Sequence, residues 1–275
     1  SNASGGDESK GTELPPRGRG SLAFATDSTP ALSAGGHQQT RKAFTMESVL
    51  SNLRRRQLNR WRPSRERVLD RAIRRFIKRR VGARLPMFAL TDAEYGWGNE
   101  MWAADEDYLS RLIAEAEVAQ GTIVECGSGL STILLAAIAR QTGAQLHSLE
   151  HNAEWQQRVV AALAAFGLTD NIVHHAPLRS YGEFDWYSMP ASMPADVSLV
   201  VCDGPPSDTR GGRYGVLPVL VANLAPGCRV LLDDANRPPE QAILSRWEAE
   251  FDAAAERRQT ARGFARVIVG ATATS

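Results

Sequence analysis

Short apolar runs alternate with amphipathic stretches over most of the chain. Runs of strand length lie at residues 123–126, 145–150, 171–175, 197–203 and 229–233. Apolar side chains recur at helical spacing over residues 131–140, 153–166, 215–224 and 239–251. Strands separated by helices need right-handed crossovers, so the pattern predicts a parallel sheet with helices on both faces.

Two further patterns complete the predicted fold. A helical repeat over residues 108–118 leads into the first strand, and residues 252–257 and 264–269 flank a turn at Arg262-Gly263. The last two runs are predicted to pair antiparallel at one edge of the sheet. The predicted fold class is α/β: a doubly wound, mostly parallel sheet with an antiparallel C-terminal edge hairpin and N-terminal helices.

Composition divides the chain into three parts. Residues 1–45 begin with Ser1-Asn2-Ala3, which resembles the remnant of a cleaved tag. The rest of this part is rich in Gly, Ser, Thr and Pro, so we expect a disordered leader, with Met46 as an alternative start of translation. Residues 46–94 form a basic helical segment, and residues 95–275 form the α/β domain.

The three cysteines bear on the cellular compartment. Cys126, Cys202 and Cys228 lie in or beside predicted buried strands. An odd number of cysteines in such places is typical of reduced, packed thiols. No apolar run is long enough for a membrane span, and no secretion leader is recognisable, so we expect a cytoplasmic protein. Peripheral association with a membrane is a further expectation, raised by the basic segment.

Basic side chains are concentrated in one predicted helix at residues 65–81. Between Arg54 and Arg80 there are 13 Lys and Arg against 2 acids, a local net charge of +11, so the rest of the chain carries −10. The other face of the helix is an apolar stripe made of Leu69, Ile73, Phe76, Ile77 and Val81. Three interpretations stay open: docking on its own domain, binding to an anionic surface of lipid or nucleic acid, or a contact in a homodimer.

The turn after the first strand, Glu125-Cys126-Gly127-Ser128-Gly129, indicates a binding site. Glycines let a ligand approach the backbone because no Cβ intervenes, and open α/β sheets bind ligands at this edge. A mononucleotide phosphate loop needs a lysine that Leu130-Ser131-Thr132 lacks. A dinucleotide fingerprint needs Gly or Ala at Thr132, and Glu125 would repel a pyrophosphate. The acid suits a cationic ligand instead.

This turn resembles the first motif, E/D-x-G-x-G, of class I S-adenosylmethionine-dependent methyltransferases. Glu150, at the end of the second predicted strand, matches the acid that holds the ribose hydroxyls in that family. The resemblance runs from about residue 95 to the C-terminus and implies a Rossmann-like fold with S-adenosylmethionine as cofactor. The binding residues that it implies are Glu125, Gly127, Ser128, Gly129, Ser131, Glu150, His151 and Asp203. A strand–helix turn without a ligand is the alternative interpretation of the glycines.

Two further predicted strands end in acids. Asp203 ends one, and Asp233-Asp234 ends the next, so their carboxylates are expected at the same edge as the cofactor. Converging carboxylates repel one another and resist ionising, and a divalent cation relieves that cost. Oxygen ligands suit Mg²⁺ or Mn²⁺ better than Zn²⁺. The alternative is that these acids shape the pocket or cap helices without a metal.

The acids are also similar to those of metal-dependent small-molecule O-methyltransferases. The resemblance implies that Asp203, Asp233 and Asp234 ligate a metal that holds the acceptor hydroxyl and lowers its pKa. The catechol-type branch adds a lysine three residues after the first Asp, where this chain has Pro206, so that branch does not fit. The Asp-Gly-Pro-Pro and Asp-Asp motifs resemble a less characterised bacterial branch.

Other candidates come from residue type and position. The predicted catalytic residues are Asp203 and His175, although a strand-end histidine such as His174 or His175 often has only a packing role. Four aromatic residues are predicted either to frame the pocket or to pack in the core: Trp97, Trp102, Trp186 and Tyr187.

The sequence therefore predicts a methyltransferase that methylates a hydroxyl of a small-molecule acceptor with help from Mg²⁺ or Mn²⁺. Two alternatives remain. One is metal-independent transfer to nitrogen or carbon. The other is a non-catalytic module tethered to a membrane or nucleic acid by its basic helix.

Overall fold

Among the residues that the structure describes, nine strands form the framework that positions the site. A computed structural model describes residues 64–86, 88–99, 104–168, 172–191 and 193–270. The strands are β1 (Thr122–Cys126), β2 (Gln145–Glu150), β3 (Val173–His175), β4 (Leu178–Ser180), β5 (Asp185–Tyr187), β6 (Val197–Cys202), β7 (Leu224–Asp233), β8 (Ala253–Arg258) and β9 (Phe264–Val269).

Seven of these strands make one sheet in the order β3-β2-β1-β6-β7-β9-β8. The first five in this order pair in parallel, and β9 pairs antiparallel with both β7 and β8. The predicted mostly parallel sheet with an antiparallel C-terminal edge is thereby confirmed. Strand order reverses between β1 and β6, which is where open α/β sheets bind their ligands. The β4–β5 hairpin, a separate antiparallel pair, had no clear sequence signal.

Helices connect and cover the strands. They are α1 (Arg65–Lys78), α2 (Ala89–Trp97), α3 (Glu106–Glu117), α4 (Leu130–Thr142), α5 (Ala153–Ala165), α6 (Val216–Leu220) and α7 (Pro238–Glu250). Asp105 and Asn152 cap α3 and α5 by accepting hydrogen bonds from backbone N–H groups three residues further on. The helix predicted at residues 215–224 is shorter than expected, because Leu224 already begins β7.

The two faces of the sheet bury different apolar clusters. Side chains alternate along each strand, so Ile123 points to one face and Val124 to the other. The first face packs against helices α1 to α5, and the second packs against Trp186, α6 and α7. Both faces are therefore covered, as the alternation of strands and helices predicted.

Helix α1 packs on the domain through its apolar face. Leu69, Ala72, Ile73 and Phe76 are buried in the cluster that also contains residues of α2 and α4. The Gln141 side-chain amide at the end of α4 donates to the Ile77 carbonyl oxygen at 3.4 Å. The helix ends at Lys78, so the expected helical stripe is one turn too long and Val81 is exposed. This packing agrees with the docking interpretation and leaves the basic face exposed.

Some expectations fall outside these observations. The predicted leader, residues 1–45, and the possible start at Met46 lie outside the described residues. The proposed boundary at residue 94 is likewise still a prediction. None of the helices in the described ranges is long and apolar enough to cross a membrane. All three cysteines are free and buried.

Candidate functional site

A cavity of about 670 Å³ opens at the carboxyl edge of the parallel strands. Its floor comes from the loops after β1, β2, β6 and β7, and part of its wall comes from α2 and α3. It therefore lies at the point where strand order reverses. Its volume is within the usual range for small-molecule sites, which is roughly 300 to 1,000 Å³.

The two glycines after β1 serve different purposes. Gly127 has a φ of 91°, and a Cβ there would lie 2.9 Å from the backbone nitrogen of Gly204. Only glycine therefore lets the β1 and β6 loops approach this closely. A Cβ on Gly129 would meet no atom within 4 Å, although this residue lines the cavity. The open space beside Gly129 is where a ligand can contact the backbone.

Glu125 lies behind this turn and not among the described residues that line the cavity. Its Oε2 accepts hydrogen bonds from the hydroxyls of Thr132 (2.7 Å) and Ser148 (2.6 Å). The Thr132 hydroxyl oxygen in turn accepts from the backbone N–H of Gly129 at 2.8 Å. Burial raises the pKa of Glu125 to about 7, although these hydroxyls oppose the shift. Glu125 thus shapes the glycine turn from within the core.

Glu150 occupies the opposite position, with its carboxylate at the cavity. Its Oε2 accepts from the backbone N–H of Ser128 (3.1 Å) and from its hydroxyl (2.8 Å), and its Oε1 accepts from the backbone N–H of Asn152 (2.8 Å). Burial favours a higher pKa, but bonds from His151, Asn152 and Ser128 outweigh it and lower the pKa of Glu150. This carboxylate is therefore ionised at neutral pH and ties the β1 loop to the β2 loop.

Aromatic side chains form the wall beside Glu150. The Trp155 indole N–H donates to the Ser128 carbonyl oxygen at 2.8 Å, and the Trp97 ring meets the Trp155 ring edge-on at 6.0 Å. Arg158 lies over both tryptophan rings. Tyr187 also lines the cavity, and its buried hydroxyl has no hydrogen-bond partner among the described residues. This end of the cavity offers flat apolar faces and one free hydroxyl to a ligand.

At the other end, Arg213 lies among the strand-end aspartates. Its Nη2 donates to Asp203 Oδ1 at 3.2 Å and to Asp234 Oδ2 at 3.0 Å, while its Nη1 donates to the Asp233 carbonyl oxygen at 2.7 Å. Arg237 Nη1 lies 2.9 Å from the same Asp234 oxygen. Burial disfavours a charged guanidinium, but Asp203 and the other acids more than offset this and raise the pKa of Arg213.

The three aspartates are close together but differ in environment. One oxygen of each lies within 4.8 Å of the others. Asp203 and Asp234 line the cavity, whereas Asp233 is buried. Its Oδ1 accepts a hydrogen bond from the backbone N–H of Asp234 at 2.8 Å. Burial, and then Asp203 and Asp234, raise the pKa of Asp233 well above its usual range. This shift favours the neutral form of Asp233, and a neutral Asp233 lowers the negative charge of the cluster.

Comparison with known proteins agrees with this geometry. Residues 124–235 match the model of a family described as a methyltransferase domain. This part of the chain is therefore similar to a methyltransferase domain. A comparison with curated proteins found no match.

Solved structures similar to this chain include three described as O-methyltransferases. TomG from Streptomyces achromogenes, involved in tomaymycin synthesis and solved with SAM, is 18% identical and has a TM-score of 0.44, with 61% of this chain and 82% of that chain covered. A putative caffeoyl-CoA O-methyltransferase from Staphylococcus aureus is 15% identical, with a TM-score of 0.46 and coverage of 61% and 85%. An O-methyltransferase from Bacillus cereus in complex with SAH is 16% identical, with a TM-score of 0.45 and coverage of 76% and 93%.

Most of the predicted site residues meet in one cavity. Its lining includes Gly127, Ser128, Gly129, Ser131, Glu150, His151, Asp203 and Asp234. His175 is not among the described lining residues. It is exposed at the end of β3, an edge strand two strands from β1. His174 instead pairs with His147, with ring nitrogens 3.0 Å apart.

Other positions differ from expectation or were missed. Trp186 packs against Gly215 behind the site, and Trp102 lies outside the described residues. The contact of Arg213 with the aspartates was not predicted. Its only sequence signal is a basic side chain in a glycine-rich loop, and such side chains are usually solvated. The position of Trp155 in the cavity wall was also not predicted, because nothing in the sequence distinguishes it from other residues in the first turn of a helix.

Proposed function

We propose that this methyltransferase transfers a methyl group from S-adenosylmethionine to a hydroxyl of a small molecule bound in the same cavity. The observation that carries the proposal is the placement of an ionised carboxylate, Glu150, and a second acidic side chain, Asp203, in a single cavity at the point of strand reversal. Glu150 suits a ribose diol, which donates two hydrogen bonds. The open backbone at Gly129 suits the methionine part of the cofactor.

The chemistry requires a positioned acceptor and a place for its proton. S-adenosylmethionine supplies a methyl group on a sulfonium: a C–O bond forms, the S–C bond breaks, and its electron pair stays on sulfur. Asp203 is the cavity carboxylate placed to receive the hydroxyl proton. Burial raises the pKa of Asp203, with Arg213 opposing the shift, and a higher pKa makes it a better base. Alignment of the reacting atoms supplies the rest of the rate enhancement.

The aspartates fit a resident divalent ion poorly. Arg213 already contacts an oxygen of Asp203 and one of Asp234, and Arg237 contacts Asp234 as well. An Mg²⁺ ion bound through those oxygens would lie within about 5 Å of a guanidinium nitrogen, given Mg–O distances of about 2.1 Å. Asp233, the third expected ligand, is buried behind the cavity. No step of the proposed reaction therefore passes through a metal.

Cofactor binding tests the proposal against the non-catalytic alternative. We expect S-adenosylmethionine and S-adenosylhomocysteine to bind by calorimetry and to raise the melting temperature. Glu150→Gln should weaken binding about tenfold or more, because a neutral amide accepts ribose hydroxyls less well and misplaces the Ser128 loop. Glu154→Gln, an exposed neighbour on α5, is the matched control and should bind like the wild type.

Two outcomes would contradict this assignment. If the protein binds NADH in preference to both sulfur compounds, S-adenosylmethionine is not its cofactor. If the Glu150→Gln and Glu154→Gln variants bind the cofactor equally well, Glu150 does not contribute to binding. If the cofactor binds, a panel of hydroxyl, amine and carbon acceptors assayed for S-adenosylhomocysteine release separates O-methylation from the nitrogen and carbon alternatives.

A further inference from the structure

Arg213 is held in the acceptor half of the cavity by contacts with two neighbouring strand ends. Its guanidinium contacts the Asp203 carboxylate after β6, and the Asp233 carbonyl oxygen and Asp234 carboxylate after β7. Arg213 itself is 3% exposed. One planar cation therefore joins two loops that carry acids to the same cavity edge.

The turn that carries Arg213 leaves it little freedom to move away. It belongs to the 3₁₀ turn Gly212–Gly215, and a Cβ on Gly215 would lie 2.5 Å from the Trp186 ring. The carbonyl oxygen of Tyr214 accepts a hydrogen bond from the Trp247 indole N–H at 2.9 Å. The backbone on the C-terminal side of Arg213 is thus fixed against two fully buried tryptophans. A metal ion arriving at the aspartates would have to displace a buried, anchored side chain.

The guanidinium supplies what a divalent ion would otherwise supply to these acids. It compensates their charge, and it fixes the direction of Asp203 by taking Oδ1 and leaving Oδ2 free of that contact. A planar fork with fixed N–H directions does this through hydrogen bonds, whereas an ion would take the oxygens as ligands. Arg210, three residues earlier, shows the contrast: it is exposed and pairs with Asp185 outside the cavity.

We propose that Arg213 is a built-in replacement for a divalent cation: it positions Asp203 for the acceptor, keeps the site independent of metal, and blocks a latent metal site formed by the aspartates. This inference deepens the proposed function, since it concerns the acceptor half of the same cavity. It makes Arg213 a positioning residue that acts through Asp203. It also predicts a gain of metal binding when the guanidinium is removed, which a merely structural arginine would not produce.

The test is titration of Mn²⁺ into the full chain, followed by electron paramagnetic resonance of free Mn²⁺ and by calorimetry. The wild type should show no specific site. Arg213→Gln should bind one Mn²⁺ per chain, at least about tenfold more tightly than any residual binding by the wild type. Adding Asp203→Asn to that variant should abolish the site. Arg210→Gln removes the same charge outside the cavity and should behave as the wild type.

Several outcomes decide the matter. One Mn²⁺ site in the wild type that is lost in Asp203→Asn would overturn the proposal, and so would a folded Arg213→Gln variant without a site. If circular dichroism shows that Arg213→Gln does not fold, Arg213→Lys replaces it. A lysine keeps the charge but not the fork, so one Mn²⁺ site in Arg213→Lys supports the proposal, and a folded Arg213→Lys variant without a site overturns it. Cofactor binding measured on the same samples reports separately on the proposed function.

Discussion

Single residues at equivalent strand ends have opposite electrostatic environments in this protein. Glu125 is the second-last residue of β1, and Glu150 is the last residue of the adjacent parallel strand β2. Glu125 accepts only side-chain hydroxyl bonds, and burial raises its pKa to about 7. Glu150 accepts two backbone N–H bonds besides, which helps to lower its pKa despite its burial. The difference in pKa follows from the deeper burial of Glu125 and from the additional donors to Glu150, because the residue type is the same.

The raised pKa of Glu125 predicts a pH-dependent stability. Between pH 4.5 and pH 7 the folded state holds a proton that the unfolded chain releases, so the contribution is complete below pH 4.5 and is lost as the pH rises to about 7. We expect Glu125→Gln to remove this dependence, which amounts to roughly 1–3 kcal/mol. Urea unfolding at half-unit pH steps, with exposed Glu66→Gln as the control, measures the difference. A constant gap between wild type and Glu125→Gln across this range would contradict it.

Among the elements, α1 shows how one helix serves two environments. Its apolar residues at i, i+3, i+4 and i+7 are buried against the domain, while most of its arginines are exposed. Among the described residues, Arg74 and Asp70 form the only ion pair within this helix, and both side chains are about half exposed. Such a pair contributes little, so packing is the main source of the helix's stability.

Substitution of a buried α1 residue tests how far this helix belongs to the domain. Phe76 is 3% exposed and lies in the main apolar cluster. We expect Phe76→Ala to lower the free energy of unfolding by about 3–5 kcal/mol through lost burial and a cavity. The exposed neighbour change Arg75→Ala should stay within about 0.5 kcal/mol of the wild type. A loss below about 1 kcal/mol for Phe76→Ala would mean that the domain folds without α1.

Across the whole molecule, charge is distributed unevenly. The segment from Arg54 to Arg80 carries a net +11 in a chain whose total is +1. In the described part of this segment, Arg67, Arg71, Arg75 and Lys78 are exposed along α1. An exposed cationic face attracts anionic surfaces, and salt screens the attraction. We propose such a surface as a partner of this face.

Vesicle co-sedimentation tests this partner. We expect binding to phosphatidylserine-containing vesicles that weakens as salt rises from 50 to 300 mM, and little binding to pure phosphatidylcholine. Changing Arg67, Arg71 and Arg75 to Gln should cost about 1 kcal/mol per charge. A control that neutralises the exposed Arg140, Arg179 and Arg258 should keep most of the binding. If both triple variants bind alike, the attraction does not come from α1. Tighter binding to nucleic acid than to vesicles would assign the face to that partner instead.

The sequence by itself determined the seven strands of the main sheet and the helices between the parallel ones, the glycine turn and the acids at the strand ends. These features depend on local periodicity and on residue types that suit only particular backbone conformations, so the sequence alone is enough to predict them. The parallel sheet then follows, because its crossovers have one hand.

Only the tertiary structure decided what the acids face. Arg213 reaches aspartates 10 and 21 residues away through an irregular loop, where no period indicates direction. His175 fell outside the cavity because β3 is an edge strand, and Glu125 fell behind it because its hydroxyl partners come from α4 and β2. A side chain's charge state and ligands depend on donors brought together from distant segments, and that convergence exists only in the folded chain.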